Sequence, residues 1–231
     1  MKMIKQIYSI VNYNEAVACM DAGADHIGLV PTQTGGIINH RVPWDVVDRI
    51  YAECKRRGVK SIAIMLNKDP EEMIFIAKRV QPDIVHIAGM DFTADADFTK
   101  RLKEAVPGVE LMSAVLVDGP GAVERAKELA EFSDYLLTDT GLAVETGIGA
   151  SGETHDWDID KEIVEAVDIP VIIAGGLGPD NVAACIEHIR PYGVDSLTKT
   201  SYKYADGVIE KDIPKVKAFC DNADQAAANL D

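Results

Sequence analysis

Val171-Ile172-Ile173-Ala174-Gly175-Gly176-Leu177-Gly178-Pro179-Asp180-Asn181, continuing through Val182 and Cys185 to Ile189, Pro191 and then Val194-Asp195-Ser196-Leu197-Thr198, decides the fold. Val171 to Ala174 and Val194 to Thr198 are short apolar runs followed by turn or polar residues, as buried parallel strands are. Between them, Gly178-Pro179-Asp180-Asn181 opens a helix to Ile189, and Pro191 marks its stop. The unit reads strand, glycine turn, helix, strand.

The same alternation extends back to the first residues. Further strands are expected at Ile4 to Ile10, His26 to Val30, Ser61 to Asn67, Ile84 to Ala88, Leu111 to Val117 and Tyr135 to Asp139. Asp69-Pro70-Glu71-Glu72 supplies a cap, a Pro at the first helical position and early acids ahead of Met73, Ile76, Ala77 and Val80. Eight strands each followed by a helix, with no linker between them, predict an α/β protein, one (β/α)8 TIM barrel over residues 1–231. A doubly wound sheet competes, but strand one is not followed by the Gly-x-Gly-x-x-Gly turn of that fold. Ala223 to Asp231 reads as a frayed polar tail.

The 231 residues carry 23 Lys and Arg against 38 Asp and Glu, a formal charge of −15. That acid excess argues against a nucleic-acid binder, whose affinity comes from cations. No apolar run is long enough to span a membrane, and the first residues show no secretory signal. Cys19, Cys54, Cys185 and Cys220 are scattered and are expected to be buried and reduced, consistent with a cytoplasmic location.

A barrel of this kind places chemistry at the carboxyl ends of its strands. Gly175 and Gly176 end strand seven, and Thr198, Lys199 and Thr200 end strand eight, where barrels commonly hold a phosphate. Glycines let backbone N–H groups approach an anion, hydroxyls donate to it and the ammonium adds charge. The alternative is that the glycine pair only makes a tight turn. Asp139 ends strand six, where shielding from water raises a carboxyl pKa and suits it to acid–base work; its other role is to cap the turn with Thr140. His86 alternates into the barrel, as a proton carrier or a satisfied interior histidine, and Tyr8 is the rim-facing polar group of strand one. Asn67 belongs to the same rim. The glycine-rich segment Gly147 to Thr154, with Ser151 and Gly152, reads as a closing lid or a plain connector. His26 starts its strand and faces the structural end. His40, His155 and His188 show no metal-ligand spacing, so neither a metal nor a cofactor is expected.

Several of these segments resemble the phosphoribosylanthranilate isomerase family. Ala174-Gly175-Gly176-Leu177-Gly178-Pro179-Asp180-Asn181-Val182, with Ile189-Arg190-Pro191-Tyr192-Gly193-Val194-Asp195, is similar to its AGGL-x-P-x-NV…RP-x-x-VD stretch. Gly149-Ala150-Ser151-Gly152-Glu153-Thr154-His155-Asp156-Trp157 is similar to its GG-[ST]-GK-[TS]-FDW loop. Weaker echoes are Asn12 through Asp25, Leu66-Asn67 and Lys211-Asp212.

The resemblance implies a (β/α)8 isomerase of tryptophan biosynthesis. Its acid protonates a ribose ring oxygen and its base removes the C2 proton, turning an aminoaldose into an aminoketose. The implied acid is Asp139. The family's strand-one cysteine base aligns with Tyr8, its SSG turn with Leu197-Thr198-Lys199, and its lid lysine with Glu153. The arginine after strand two has no clean match among Asn39, His40 and Arg41. The sequence therefore predicts an aldose–ketose isomerase acting on a small phosphorylated sugar, as a monomer or homodimer, with no nucleic-acid or membrane partner. His86 stands as a substitute base. Two alternatives remain: another phosphosugar enzyme, such as an epimerase or a lyase using Lys199 as a Schiff base, and a barrel that binds the phosphosugar without catalysis.

Overall fold

The computed structural model describes residues 2–32, 41–88, 92–140, 142–143, 147–148, 155–203 and 209–230. Eight parallel strands form its centre: β1 Ile4–Ile7, β2 His26–Thr32, β3 Lys60–Met65, β4 Ile84–Ile87, β5 Glu110–Leu116, β6 Tyr135–Asp139, β7 Val171–Ile173 and β8 Gly193–Ser196. β1 pairs with both β8 and β2, so the sheet closes into a barrel. Closure rules out the doubly wound alternative, whose sheet stays open.

The connecting helices are α1 Tyr13–Asp21, α2 Trp44–Arg57, α3 Pro70–Val80, α4 Ala96–Ala105, α5 Gly121–Ala130, α6 Trp157–Ala166, α7 Val182–Ile189 and α8 Ile213–Ala228. Local signals set their starts. Side-chain oxygens of Asn12, Asp69, Asp95, Asp156 and Asp212 accept backbone N–H groups at the first turns of α1, α3, α4, α6 and α8. At Asp69 the Pro-Glu-Glu sequence follows the cap as expected.

Period-two alternation divides the apolar residues between two cores. Ile62, Ile64, Ile84, Met112, Tyr135, Leu137 and Ile172 point into the barrel with Tyr8. Ile7, Ile27, Ala63, Met65, Val85, Leu111, Leu136, Ile173 and Val194 face the helices, where they meet Val47, Met73, Leu102, Ile186 and Phe219. All four cysteines are unpaired and buried.

Several boundaries differ from expectation. Strands one, three, four, five, seven and eight stop before their predicted ends; after β8 the backbone tightens into a 3-10 turn, Thr198–Thr200, instead of extending to Thr198. The frayed tail is also overturned. α8 runs to Ala228, and Val216, Phe219, Cys220, Ala223, Ala226 and Ala227 form one buried stripe. Small alanines there pack closely against the layer beneath, which a polar-looking composition conceals.

The chain's two ends are joined across a buried carboxylate. Glu15 accepts from the N–H of Val11 at 2.9 Å and from the N–H of Lys211 at 2.7 Å. The Lys211 ammonium then reaches the Leu197 carbonyl at 3.2 Å and the Ser201 hydroxyl at 2.9 Å. This holds the segment after β8 against the start of α1.

Candidate active site

Asp139 is the last residue of β6, in register with Leu116 of β5, and shares the inward parity of Tyr135 and Leu137. It sits partly buried at the rim, where its Oδ1 accepts from the Thr140 backbone N–H at 2.7 Å. Burial pushes its carboxyl up to about 7. The Thr140 hydrogen bond and the nearby His155 oppose that rise, and Asp160 adds to it.

The next residue begins a hydrogen-bonded chain that the sequence reading missed. The Thr140 hydroxyl lies 2.8 Å from His155 Nδ1, and His155 Nε2 lies 2.5 Å from Asp160 Oδ2. The His155 and Asp160 side chains are 4% and 0% exposed, so the pair is closed off from solvent. Asp160 projects from the first turn of α6. The one sequence signal was His155 itself, standing where the resembled loop has phenylalanine.

Gly175 packs against this group from β7. Its φ is 80°, and that of Gly176 is 65°. A Cβ on Gly175 would lie 2.3 Å from Thr140 Oγ1 and 2.8 Å from His155 Nδ1, so only glycine fits. Asn181 fixes the turn beyond by accepting from the Gly178 N–H at 2.8 Å and donating to the Gly176 carbonyl at 3.1 Å. Ser196 of β8 donates to the Leu177 carbonyl at 2.7 Å. A Cβ on Gly178 would lie 2.6 Å from that of Lys199, so the 3-10 turn packs directly on the glycine turn. The turns that follow β7 and β8 are thus packed together and carry Gly175, Gly176, Thr198 and the exposed Lys199.

Thr200 is separated from that set. It is fully buried and donates to the Leu197 carbonyl at 3.3 Å, because the chain turns here instead of extending along β8. Asn67 lies partly buried just beyond β3. Ser151 and Gly152, with most of the expected lid, fall outside the described residues, as do Asn39 and His40. Arg41 is exposed in the short strand Arg41–Pro43, which pairs with β2.

Tyr8 and His86 meet inside the barrel. The phenol oxygen is 2.9 Å from His86 Nδ1, and the Tyr8 ring lies so close to Gly28 that a Cβ there would come within 2.3 Å of Cδ1. Burial pushes the phenol well above 10, with Asp195 and Asp139 adding to the rise. Burial alone drives His86 down to about 3. The two shifts make the phenol a weak acid and the imidazole a weak base near pH 7. The two residues for which catalytic roles are expected thus bond to each other, with Tyr8 at the position that aligns with the family's cysteine.

Among the described residues no group of three His, Cys, Asp or Glu side chains is arranged to hold a metal. None of the described helices is long and apolar enough to cross a membrane.

Comparison with known proteins points to one family. The family model described as N-(5'phosphoribosyl)anthranilate (PRA) isomerase matches residues 15–222. An N-(5'-phosphoribosyl)anthranilate isomerase of Methanocella arvoryzae is 35% identical over 181 residues, 78% of this chain and 81% of the relative. That of Haloferax volcanii is 31% identical over 229 residues, covering 98% and 95%. The crystal structure of phosphoribosyl anthranilate isomerase from Thermotoga maritima superposes with a TM-score of 0.76 at 25% identity, over 96% of this chain and 98% of that one. A second phosphoribosyl anthranilate isomerase structure, in complex with reduced 1-(o-carboxyphenylamino)-1-deoxyribulose 5-phosphate, gives 0.74 at 24% identity over 96% and 98%. With a model match spanning most of its length and relatives above 30% identity, the chain belongs to the N-(5'-phosphoribosyl)anthranilate isomerase family.

Proposed function

We propose that the protein isomerises N-(5'-phosphoribosyl)anthranilate to the corresponding 1-amino-1-deoxyribulose phosphate, with Asp139 as the general acid. One observation carries this reading: a rim carboxyl raised to about 7 stands beside the glycine turn where β7 and β8 finish. The phosphate would rest on the backbone of Gly175 and Gly176, with Thr198 and Lys199 supplying a hydroxyl and a charge. Asn67 and the lid residues Ser151 and Gly152 would contact the rest of the substrate. So anchored, the ribose ring oxygen receives the Asp139 proton, the ring opens and C1 becomes an iminium. An acid near pKa 7 is half protonated at neutral pH, which suits it to donate and then recover a proton. One domain, residues 1–231, would hold the whole site.

The test is genetic. A bacterium lacking its own isomerase should grow without tryptophan when it expresses this chain, and should not when it expresses Asp139→Asn. Absence of rescue with soluble wild-type protein present would refute the substrate assignment. The loss of the strand-one thiol favours a second reading, a barrel that binds the phosphosugar and returns it unchanged; tight binding of the substrate without turnover would select it.

A further inference from the structure

Removing the C2 proton needs a base, and the position that aligns with the family's cysteine holds Tyr8, a phenol engaged with His86. Lys199 is exposed at the phosphate end. Asp139 must be protonated to open the ring. Among the described residues, the other imidazole at this rim is His155, which reaches it through the Thr140 hydroxyl.

We infer that Thr140, His155 and Asp160 form the base of the reaction, Thr140 Oγ1 taking the C2 proton as its own proton passes to His155 Nδ1. This rests on the isomerase reading above. The order of groups is the one that activates a hydroxyl: carboxylate on one ring nitrogen, hydroxyl on the other. Asp160 Oδ2 at 2.5 Å keeps the ring proton on Nε2, which leaves the Nδ1 lone pair for Thr140 at 2.8 Å. Among the described residues Asp160 Oδ1 has no hydrogen-bond partner, so the imidazole on Oδ2 is what the carboxylate holds.

Position agrees with this role. The ring oxygen and C2 are both bonded to C1, so the acid and the base must stand side by side; Asp139 and Thr140 are consecutive, with the Thr140 N–H on the Asp139 carboxylate. Gly175 admits the pair to the phosphate wall, because any side chain there would occupy the space of Thr140 Oγ1 and His155 Nδ1.

The step balances. The C2–H electron pair becomes the C1–C2 double bond, the iminium pair returns to nitrogen, and the stored proton stays on His155 Nδ1 while Asp160 stabilises the imidazolium through Nε2–H. When the enolamine collapses to the ketone, that proton returns through Thr140 to C1, and the C2 hydroxyl proton restores Asp139. No oxidant, reductant or metal enters.

The experiment uses the full chain with N-(5'-phosphoribosyl)anthranilate, unlabelled and deuterated at C2. Thr140→Val and His155→Phe should lower kcat by about 10²- to 10⁴-fold with KM within about threefold. The C2-deuterium isotope effect on kcat should rise in both, and Thr140→Ser should restore the rate. Binding of the reduced product analogue reports that each variant is folded; if His155→Phe is not, the Val and Ser variants of Thr140 decide alone. An active wild type with Thr140→Val equally fast, or with Thr140→Ser as slow as Thr140→Val, overturns the relay and leaves the isomerase reading standing. A wild type inactive on this substrate overturns both.

Discussion

Tyr8 and His86, 78 residues apart in the chain, meet inside the barrel with the phenol oxygen 2.9 Å from Nδ1. The Tyr8 ring covers Gly28 so tightly that no Cβ fits beneath it. The residue aligned with a catalytic thiol therefore belongs to the packing of the barrel. Tyr8→Phe should keep kcat within a few-fold while lowering stability by about 1–3 kcal/mol, the cost of a buried nitrogen left without its partner. Parallel urea unfolding and turnover measurements separate the two effects.

The contact with Gly28 should appear as coupling. Gly28→Ala alone forces the Tyr8 ring to shift and should cost about 1–3 kcal/mol. In a Tyr8→Cys background the same change should cost much less, since the smaller side chain leaves room. A double-mutant cycle by denaturant unfolding reads the difference, and strict additivity would mean that the ring moves freely.

The raised carboxyl at Asp139 gives pH effects of definite sign. As the acid it must be protonated, so kcat/KM should fall as pH rises above about 7. Its folded value lies above the unfolded value near 3.9, so the native state holds the extra proton between them. Stability linked to this group is therefore fully present below about 4 and is lost as pH rises toward 7. Asp139→Asn removes that loss and should raise stability at pH 8 by up to about 4 kcal/mol, while lowering activity by about 10²- to 10⁴-fold. Thermal unfolding at pH 5 and pH 8 measures the first effect.

At the phosphate end, Gly175→Ala meets both a positive φ and the Thr140–His155 pair, and should raise KM by about tenfold or more with a loss of stability. Lys199→Ala removes only an exposed charge. Its KM increase should shrink as salt is added, because exposed charges are screened. Steady-state kinetics at two ionic strengths distinguish the two variants.

Deleting residues 223–231 should unfold the protein rather than trim it, because Ala223, Ala226 and Ala227 are buried in the last turns of α8. Circular dichroism of the shortened chain is a direct check, and a native spectrum would contradict the packing described here.

Much of the architecture was legible because it rests on local signals. The Asp69-Pro70 cap and the run Tyr135 to Asp139 lie where periodicity and capping put them. The end of α8 was hidden because Ala, Asp, Asn and Gln give little hydropathic contrast, although its buried stripe keeps helical spacing. The positions of Asp139 and the glycine turn were readable, as each is fixed by its place at a strand end. Thr200 is buried away from the glycine turn because the backbone after Ser196 tightens, which no residue type there announces. The Thr140–His155–Asp160 chain was missed for a different reason. His155 and Asp160 are five residues apart across a helix start, and Thr140 lies fifteen residues before His155, so only the folded chain joins them.

The most direct test of the central claim is conversion of N-(5'-phosphoribosyl)anthranilate by the purified protein, followed by the loss of anthranilate-type fluorescence. Turnover by the wild type is expected, with a fall of at least about 10²-fold in Asp139→Asn and binding of the reduced product analogue retained. A wild type without turnover, or an Asp139→Asn variant as fast as the wild type, would contradict it.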